Sequence, residues 1–180
     1  MTLTWNEYQQ QALTTAIYPL KRELEYTAFG LLSEVGELAE AMGIETETVR
    51  LPSCRGELGD TFWYVAAMGD ALNVPLQHIY DYLTAFSFRG DLEAEEVLPL
   101  IMVQAGLVAG YIKKSIRDND GFLSDRSRVQ IITALCKLMA YSEYLADEFG
   151  SSVNGILNDN LNKLADRKQR GVLKGSGDSR

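Results

Sequence analysis

Apolar residues recur at three- and four-residue spacing along most of the chain. No segment alternates apolar and polar residues as a half-buried strand does. This periodicity predicts an all-α fold built as a helical bundle. Capping residues, glycines and prolines set the limits of seven predicted helices. These helices cover roughly residues 4–18, 23–42, 54–72, 75–86, 98–117, 125–149 and 151–166.

Several local signals fix these limits. Thr4 and Glu7 have the spacing of a capping box, and Gly43 is placed to end the second helix. Pro75 suits the first turn of the fourth helix, and residues 89–91 are predicted to form a linker. Residues 167–180 are predicted to form a basic flexible tail because glycine and serine accumulate there.

The composition bounds the class of protein. The chain has 180 residues, of which 46% are apolar and 23% charged, which is typical of one globular domain. It lacks an uninterrupted apolar run of about 18 residues and a signal peptide, so we expect no membrane partner and a cytoplasmic protein. Two cysteines and one histidine cannot form a structural zinc site or a disulfide framework.

Charge is distributed unevenly along the chain. The net charge is −8, which repels polyanions and argues against a nucleic-acid partner. Residues 1–99 contain 16 acidic and five basic side chains, whereas residues 100–180 contain nine acidic and twelve basic ones. We therefore expect acids from the first part and bases from the second to face one ligand, such as a metal ion with a phosphate.

An internal repeat relates the two parts. A shift of 70 residues aligns the apolar positions and the glycine of 32–39 with those of 102–109, and a shift of 77 aligns Tyr64 with Tyr141. These matches predict a duplicated helical hairpin. The first copy has the acids Glu34, Glu37, Glu57 and Asp60, and the second copy has Gln104, Leu107, Ala134 and Lys137 in their places.

Two pairs of acids carry the clearest chemistry. Glu34 and Glu37 are three residues apart on the second predicted helix, and Glu57 and Asp60 repeat this spacing on the third. Residues three apart share a helical face, so packing of the two helices would bring four carboxylates together. The small Gly30 beside the first pair is expected to leave space for an ion. Such a site suits Mg²⁺ or Mn²⁺, although acids at this spacing are also common on solvated surfaces.

Basic residues form two groups. Lys113, Lys114 and Arg117 end the fifth predicted helix, where they could hold phosphate or simply stabilise the helix dipole. The second group recurs every three or four residues near the carboxyl terminus and could clamp phosphate oxygens or form a solubilising tail. It consists of Lys163, Arg167, Arg170 and Lys174.

Other residues indicate less. His78 is expected to be a packing or surface residue. Trp5, Tyr8, Phe62 and Trp63 are expected to lie mostly in the core, and one of them could stack on a nucleobase. The chain has no Walker-type phosphate loop, and one histidine supports no serine hydrolase triad.

These motifs together resemble the MazG-type all-α nucleoside triphosphate pyrophosphohydrolases, which share a helical fold with dimeric dUTPases. The matching segments are residues 6–9, 15–19, 34–40, 57–64, 160–164, 166–171 and 175–178. The resemblance implies Mg²⁺- or Mn²⁺-dependent hydrolysis of a (deoxy)nucleoside triphosphate between its α and β phosphates, with release of pyrophosphate.

The resemblance also implies roles for residues. Glu34, Glu37, Glu57 and Asp60 would hold the metal, and Glu37 or Glu40 would accept a proton from water. Substrate contacts would come from Tyr64, Lys113, Arg117, Asn160, Lys163 and Arg167. Residues 1–88 would form a metal-binding repeat and 98–166 a degenerate phosphate-binding repeat, so that one chain resembles a dimer of the single-copy type. A homodimer of such chains is expected.

Two alternatives remain at this point. The chain could be a catalytically inactive helical nucleotide-binding or assembly module built from the same repeat. A di-metal carboxylate oxidase is disfavoured, because that class takes a Glu-x-x-His pair from each of two helices and only His78 is present. Base and sugar preference are open among dUTP, dCTP, dGTP and damaged nucleotides.

Overall fold

A computed structural model describes residues 2–82 and 92–174 of the chain. Within these residues the protein is helical throughout and contains no strand, which confirms the all-α prediction. The helices are α1 (Trp5–Leu13), α2 (Glu23–Ala41), α3 (Leu51–Ala71), α4 (Leu76–Asp81), α5 (Ala94–Asn119), α6 (Asp125–Glu148) and α7 (Val153–Gln169), with a 3-10 turn at Leu20–Arg22.

The helix caps follow the sequence signals. Thr4 and Glu7 form the predicted capping box at the start of α1. Gly43 follows α2 with φ of +86°, and a Cβ there would lie 2.7 Å from the backbone nitrogen of Thr48, so only glycine fits. The first helix ends at Leu13, five residues earlier than predicted. There the hydroxyl of Thr14 bonds the carbonyl of Gln11, which competes with helix continuation.

Other helix limits also differ from the predictions. α3 begins at Leu51, with Pro52 in its first turn. Backbone N–H groups of the first turn have no partner within the helix, so the proline costs no hydrogen bond there. α5 begins earlier than predicted, at Ala94, behind a capping box formed by Glu93 and Glu96. α4 ends at Asp81. The predicted continuation to residue 86 and the linker at 89–91 lie outside the described residues.

The predicted tail is wrong at its start. α7 continues through Gln169, and Arg167 is only 4% exposed. Gly171, with φ of +71°, follows the helix end. Arg167 is therefore held in the folded bundle and does not belong to a flexible segment.

Two antiparallel hairpins form the centre of the bundle. α2 packs along α3, α5 packs along α6, and α2 also packs against α5. α7 and α1 pack on α3, whereas α4 packs on α6. One continuous apolar core joins these helices, and the fully buried residues Leu31, Leu58 and Phe62 set α2 against α3. This contact fixes the positions of the acids.

One helix of the described ranges, α5, is long and apolar enough to cross a membrane by length and composition alone. Core helices of soluble proteins pass the same test. One stripe of α5 is buried against its neighbours, with Leu98, Ile101 and Val108 at most 1% exposed. The apolar character of α5 is thus explained in part by its place in the core.

Candidate metal and nucleotide site

Packing of α2 on α3 brings three carboxylates together. One oxygen each of Glu34, Glu37 and Glu57 lies within 4.8 Å of the other two. Glu57 is buried at 7% exposure, Glu34 is half-buried and Glu37 is exposed. The cluster therefore runs from the helix interface to solvent, and Glu37 forms its accessible edge.

Burial, together with the crowding of negative charge, favours the protonated form of Glu34. Burial raises the pKa of Glu34 to about 8, and the charges of Asp60, Glu37 and Glu57 act in the same direction, opposed by Lys163. Without a cation, the lowest free energy at neutral pH leaves a proton on this carboxyl group. A divalent cation would take over the role of that proton.

Asp60 lies beside the cluster but is bound by α7. Its Oδ1 accepts a hydrogen bond of 2.7 Å from Nδ2 of Asn160, and its Oδ2 lies 2.5 Å from Nζ of Lys163. The other three acids converge, whereas Asp60 is held in an ion pair that is largely shielded from solvent. The fourth predicted ligand is thus adjacent to the three-acid cluster and not part of it.

A buried tyrosine orients Asn160. The hydroxyl of Tyr8 donates a hydrogen bond of 3.0 Å to Oδ1 of Asn160, and both residues are buried. Burial raises the pKa of Tyr8 well above its ordinary value, so the hydroxyl keeps its proton. The predicted core position of Tyr8 is confirmed, but its hydrogen bond to Asn160 was not predicted. Gly59 gives a partial indication that another helix approaches here. A Cβ at this position would lie 3.1 Å from Cβ of Asn160, so the glycine allows α7 to pack closely on α3.

An aromatic cavity of about 120 Å³ opens beside the acids. Its walls include Tyr26, Trp63 and Tyr64, and α7 adds Arg167. The rings pack on one another: Trp63 and Tyr64 meet edge to face with centroids 4.9 Å apart, and Tyr26 lies 6.1 Å from Tyr64. Glu34 and Asp60 also line the cavity, so it connects directly to the carboxylates.

The space predicted above Gly30 is filled. A Cβ at Gly30 would lie 1.9 Å from Cε1 of Tyr64, so the glycine accommodates the tyrosine ring and not an ion. The expectation that Gly30 leaves room for a metal is wrong. The glycine instead allows the ring of Tyr64 to form the wall of the aromatic cavity.

A second cavity, of about 280 Å³, lies on the other side of Lys163. It is lined by residues of α3 and α7, among them Arg55, Gly59 and Asn160. The guanidinium group of Arg55 donates to the carbonyl oxygen of Phe149, which fixes it at the wall. Asp60 lines the aromatic cavity and Lys163 lines the second one, so their ion pair lies between the two cavities.

Comparison with known proteins finds a phage protein that is similar to this chain. The chain is 36% identical to the Gene 37 protein of Mycobacterium phage L5 over 95 residues, which are 51% of this chain and 83% of the phage protein. The chain belongs to the family of this phage protein. No protein-family model and no solved structure matches the chain. The name of the relative states no activity, so a function for this chain has to be argued from the residues of the site.

Three of the predicted site residues lie apart from the acid cluster. Glu40 is exposed and faces Arg50 at 3.9 Å. Lys113 lines a groove between α5 and the opposite face of α2, and Arg117 pairs with the neighbouring Asp118 at 2.6 Å. A single chain therefore does not bring Lys113 and Arg117 to the carboxylates.

Proposed function

We propose that this protein is a divalent-metal-dependent nucleoside triphosphate pyrophosphohydrolase of the MazG type. It would cleave a (deoxy)nucleoside triphosphate between the α and β phosphates to give the monophosphate and pyrophosphate. The observation that carries the proposal is the three-carboxylate cluster of Glu34, Glu37 and Glu57, which opens onto an aromatic cavity and adjoins Lys163.

The donor set fits a hard divalent cation. All three converging ligand atoms are carboxylate oxygens, which Mg²⁺ and Mn²⁺ prefer over zinc. Burial and the neighbouring acids raise the pKa of Glu34, and a bound cation would offset this negative charge. When bound, the ion would neutralise phosphate charge and lower the pKa of water. Glu34, Glu37 and Glu57 would hold it, with Asp60 next to them.

The protein's own groups divide the remaining tasks. Lys163 pairs with Asp60 and Arg167 lines the same cavity as Asp60, so both would place positive charge where phosphate oxygens would lie. Glu37 is the exposed member of the cluster, and its Oε1 accepts a hydrogen bond of 3.2 Å from Ser33. It is a better candidate than Glu40 to accept a proton from water, because Glu40 lies at the ion pair with Arg50.

The aromatic cavity is suited to a nucleobase. Tyr26, Trp63 and Tyr64 offer ring faces and edges within reach of the acids, and stacking on such rings tolerates different bases. Burial raises the pKa of Tyr64 above its ordinary range, so this residue would act as a neutral wall and donor. The small volume, about 120 Å³, favours partial insertion of a base over full enclosure.

The packing of the helices supports a duplicated hairpin as the origin of this site. α7 crosses α3 in the first hairpin, and α4 crosses α6 in the second, as two related halves would do. The second hairpin has Gln104 and Ala134, both buried, in place of acids. We propose one nucleotide site per chain and a cytoplasmic enzyme, since nucleoside triphosphates are found there.

The test is a panel of ribo- and deoxynucleoside triphosphates with Mg²⁺ and with Mn²⁺, in which pyrophosphate and monophosphate are both measured. Equal amounts of the two products are expected, and Glu57→Gln should abolish their release. Glu148→Gln, an exposed acid on α6, is the matched control and should remain active. Release of orthophosphate instead, or full activity of Glu57→Gln, would overturn the proposal.

The alternative function predicts a different result. A helical nucleotide-binding or assembly module would bind metal with nucleotide, as seen by calorimetry, and would release no product with any member of the panel. The partly buried Asp60–Lys163 pair favours the hydrolase, because a charged network at a cavity is costly to maintain for assembly alone.

A further inference from the structure

Aliphatic side chains complete the wall of the aromatic cavity. They come from other segments of the chain than the rings, which lie on α2 and α3. Ile17 follows α1, Leu164 lies on α7, and Leu173 follows the end of α7. Leu173 is therefore part of the candidate site, although the sequence predicted a flexible tail from residue 167 onwards.

The end of α7 sets the position of Leu173. The N–H of Gly171 donates to the carbonyl of Lys168 at 3.1 Å, and the N–H of Val172 donates to the carbonyl of Arg167 at 2.9 Å. These two bonds and the left-handed φ of Gly171 form a Schellman motif, which ends a helix and turns the chain back. Leu173 comes directly after this turn and is half-buried. Its place at the cavity thus follows from the geometry of the helix end.

Ile17 lies at the mouth of the cavity. It lines the cavity and is nevertheless 51% exposed, so one part of its side chain faces the cavity and the other faces solvent. Trp63 and Arg167, which line the same cavity, are only 9% and 4% exposed and lie deeper. The aliphatic residues are therefore placed where a ligand enters, and the ring and the guanidinium group are placed further inside.

Two polar groups of the cavity wall are already used within the protein. Nε1 of Trp63 donates a hydrogen bond of 3.1 Å to the carbonyl oxygen of Ala12, and the hydroxyl of Thr15 donates to the same oxygen at 2.7 Å. Each group has one proton, so neither proton is left for the edge of a nucleobase. Discrimination among bases at this part of the wall therefore depends on shape and size.

We propose that Ile17 and Leu173 set the size of the nucleobase that the aromatic cavity accepts. They form the aliphatic side of a clamp, and the rings of α2 and α3 form its aromatic side. The cavity measures only about 120 Å³, so each aliphatic side chain at its edge limits how far a base can enter. An apolar pocket can discriminate about tenfold or more for a single methylene group. The inference rests on the proposed binding of nucleotides at this site.

The kinetic experiment uses two full-length variants, Leu173→Ala and Ile17→Ala, with dATP, dGTP, dCTP and dTTP as substrates. Each variant removes most of one aliphatic side chain. The ratio of kcat/KM for purine to that for pyrimidine nucleotides should rise at least about fivefold in each, because the larger base gains more from the added space. Leu20→Ala is the control, since Leu20 is 79% exposed and lies outside the cavity wall. It should keep the native ratio.

A binding experiment gives a readout that needs no turnover. Its probes are analogues of dATP and dCTP with a methylene group between the α and β phosphates, added with Mg²⁺ and followed by tryptophan fluorescence. Trp63 lines the cavity, whereas Trp5 packs on Phe62 and Tyr80. The ratio of the two dissociation constants should shift in favour of the purine in both variants and stay native in Leu20→Ala. Circular dichroism should show native helicity in all three variants.

The outcomes separate this inference from the proposed function. Hydrolysis by the native chain with native base ratios in both variants would overturn the inference and leave the hydrolase standing. An equal loss for all four nucleotides would also overturn it, because the residues would then support the fold and not select a base. Binding of the analogues with shifted ratios but without hydrolysis of any nucleotide would refute the hydrolase and support the inference. A native chain that binds neither analogue would overturn both. If Leu173→Ala does not fold, Ile17→Ala, at a half-exposed position, decides alone.

Discussion

The hydroxyl group of Tyr8 donates to Oδ1 of Asn160, which leaves the amide nitrogen of Asn160 to donate to Asp60. The tyrosine comes from α1, the asparagine from α7 and the aspartate from α3, so this short chain of bonds ties three helices together beside the carboxylate cluster. An amide has two nearly equivalent orientations, and the tyrosine hydroxyl selects the one that suits Asp60.

Tyr8→Phe should therefore impair the site more than the fold. It removes one hydroxyl and leaves Oδ1 of Asn160 without its donor, which should cost about 1–3 kcal/mol of unfolding free energy. We expect the affinity for Mg²⁺ and kcat/KM to fall as well, because the amide of Asn160 can then turn away from Asp60. Urea unfolding and calorimetric Mg²⁺ titration measure the two effects. Tyr82→Phe, at an exposed position, should change neither.

Metal binding should be visible as thermal stabilisation. A cation that binds only the folded chain raises the midpoint of unfolding as its concentration increases. We expect Mg²⁺ and Mn²⁺ to do so for the native chain and for Glu148→Gln, and to have little effect on Glu57→Gln, which lacks one converging oxygen. Equal stabilisation of Glu57→Gln and the native chain would place the ion elsewhere.

The metal-free protein should lose stability as the pH rises from about 4.5 to about 8. The pKa of Glu34 is raised to about 8 by burial, from 4.5, so between these values the folded chain binds more protons than the unfolded chain. The free energy of unfolding therefore decreases with rising pH over this range. Burial also raises the pKa of Glu143 to about 7. Glu143 therefore adds to this decrease of the unfolding free energy at pH values below about 7.

Glu34→Gln isolates the contribution of Glu34. Its urea unfolding, measured in the presence of a chelator, should depend less on pH between about 4.5 and 8, most clearly between pH 7 and 8, where Glu143 no longer contributes. A native slope in Glu34→Gln would mean that another group titrates there. Added Mg²⁺ should restore stability to the native chain at pH 8, because the cation offsets the charge of the ionised cluster.

Two glycines of α2 should respond in opposite ways to alanine. Gly30→Ala would place a Cβ 1.9 Å from the ring of Tyr64, so the ring must move and the aromatic cavity must change shape. We expect loss of stability and a raised KM for nucleotide. Gly36→Ala is the matched control, because nothing lies within 4 Å of its added Cβ. It should stabilise the protein by about 0.5–1 kcal/mol. Thermal unfolding and steady-state kinetics separate the two outcomes.

Arg167 should contribute to phosphate binding irrespective of the base. Arg167→Met keeps an apolar stem in the cavity wall and removes the charge. If the guanidinium contacts phosphate, kcat/KM should fall by about one to two decades, to a similar degree for every nucleotide that is hydrolysed. Arg170→Met, an exposed neighbour paired with Asp166, should retain native kinetics. A loss confined to one base would assign Arg167 to base recognition.

Removal of α7 should unfold the site. With the seventh helix predicted to end near residue 166 and a tail predicted from 167, a chain ending at Asn158 would lose only the last helical turns and the tail and would keep much of its bundle. The structure changes this expectation, since Asn160 and Arg167 are buried and α7 packs across α3. Point variants are therefore the appropriate probes of the basic residues.

The sequence by itself determined the features that depend on neighbouring residues. Helical periodicity gave the all-α class, the capping box gave the start of α1, and Gly43 gave the end of α2. It also put Glu34 with Glu37 and Glu57 with Asp60 on common helical faces, because residues three apart lie about one turn apart. These features need only the geometry of one helix.

Only the tertiary structure decided how the faces meet. Asp60 is bound by Asn160 and Lys163, which are 100 and 103 residues away, and Tyr64 fills the space over Gly30. Lys113 faces away from the acids of its own chain. Such pairings depend on the rotation and crossing of packed helices, which many distant apolar contacts set together, and no local pattern in the sequence specifies them.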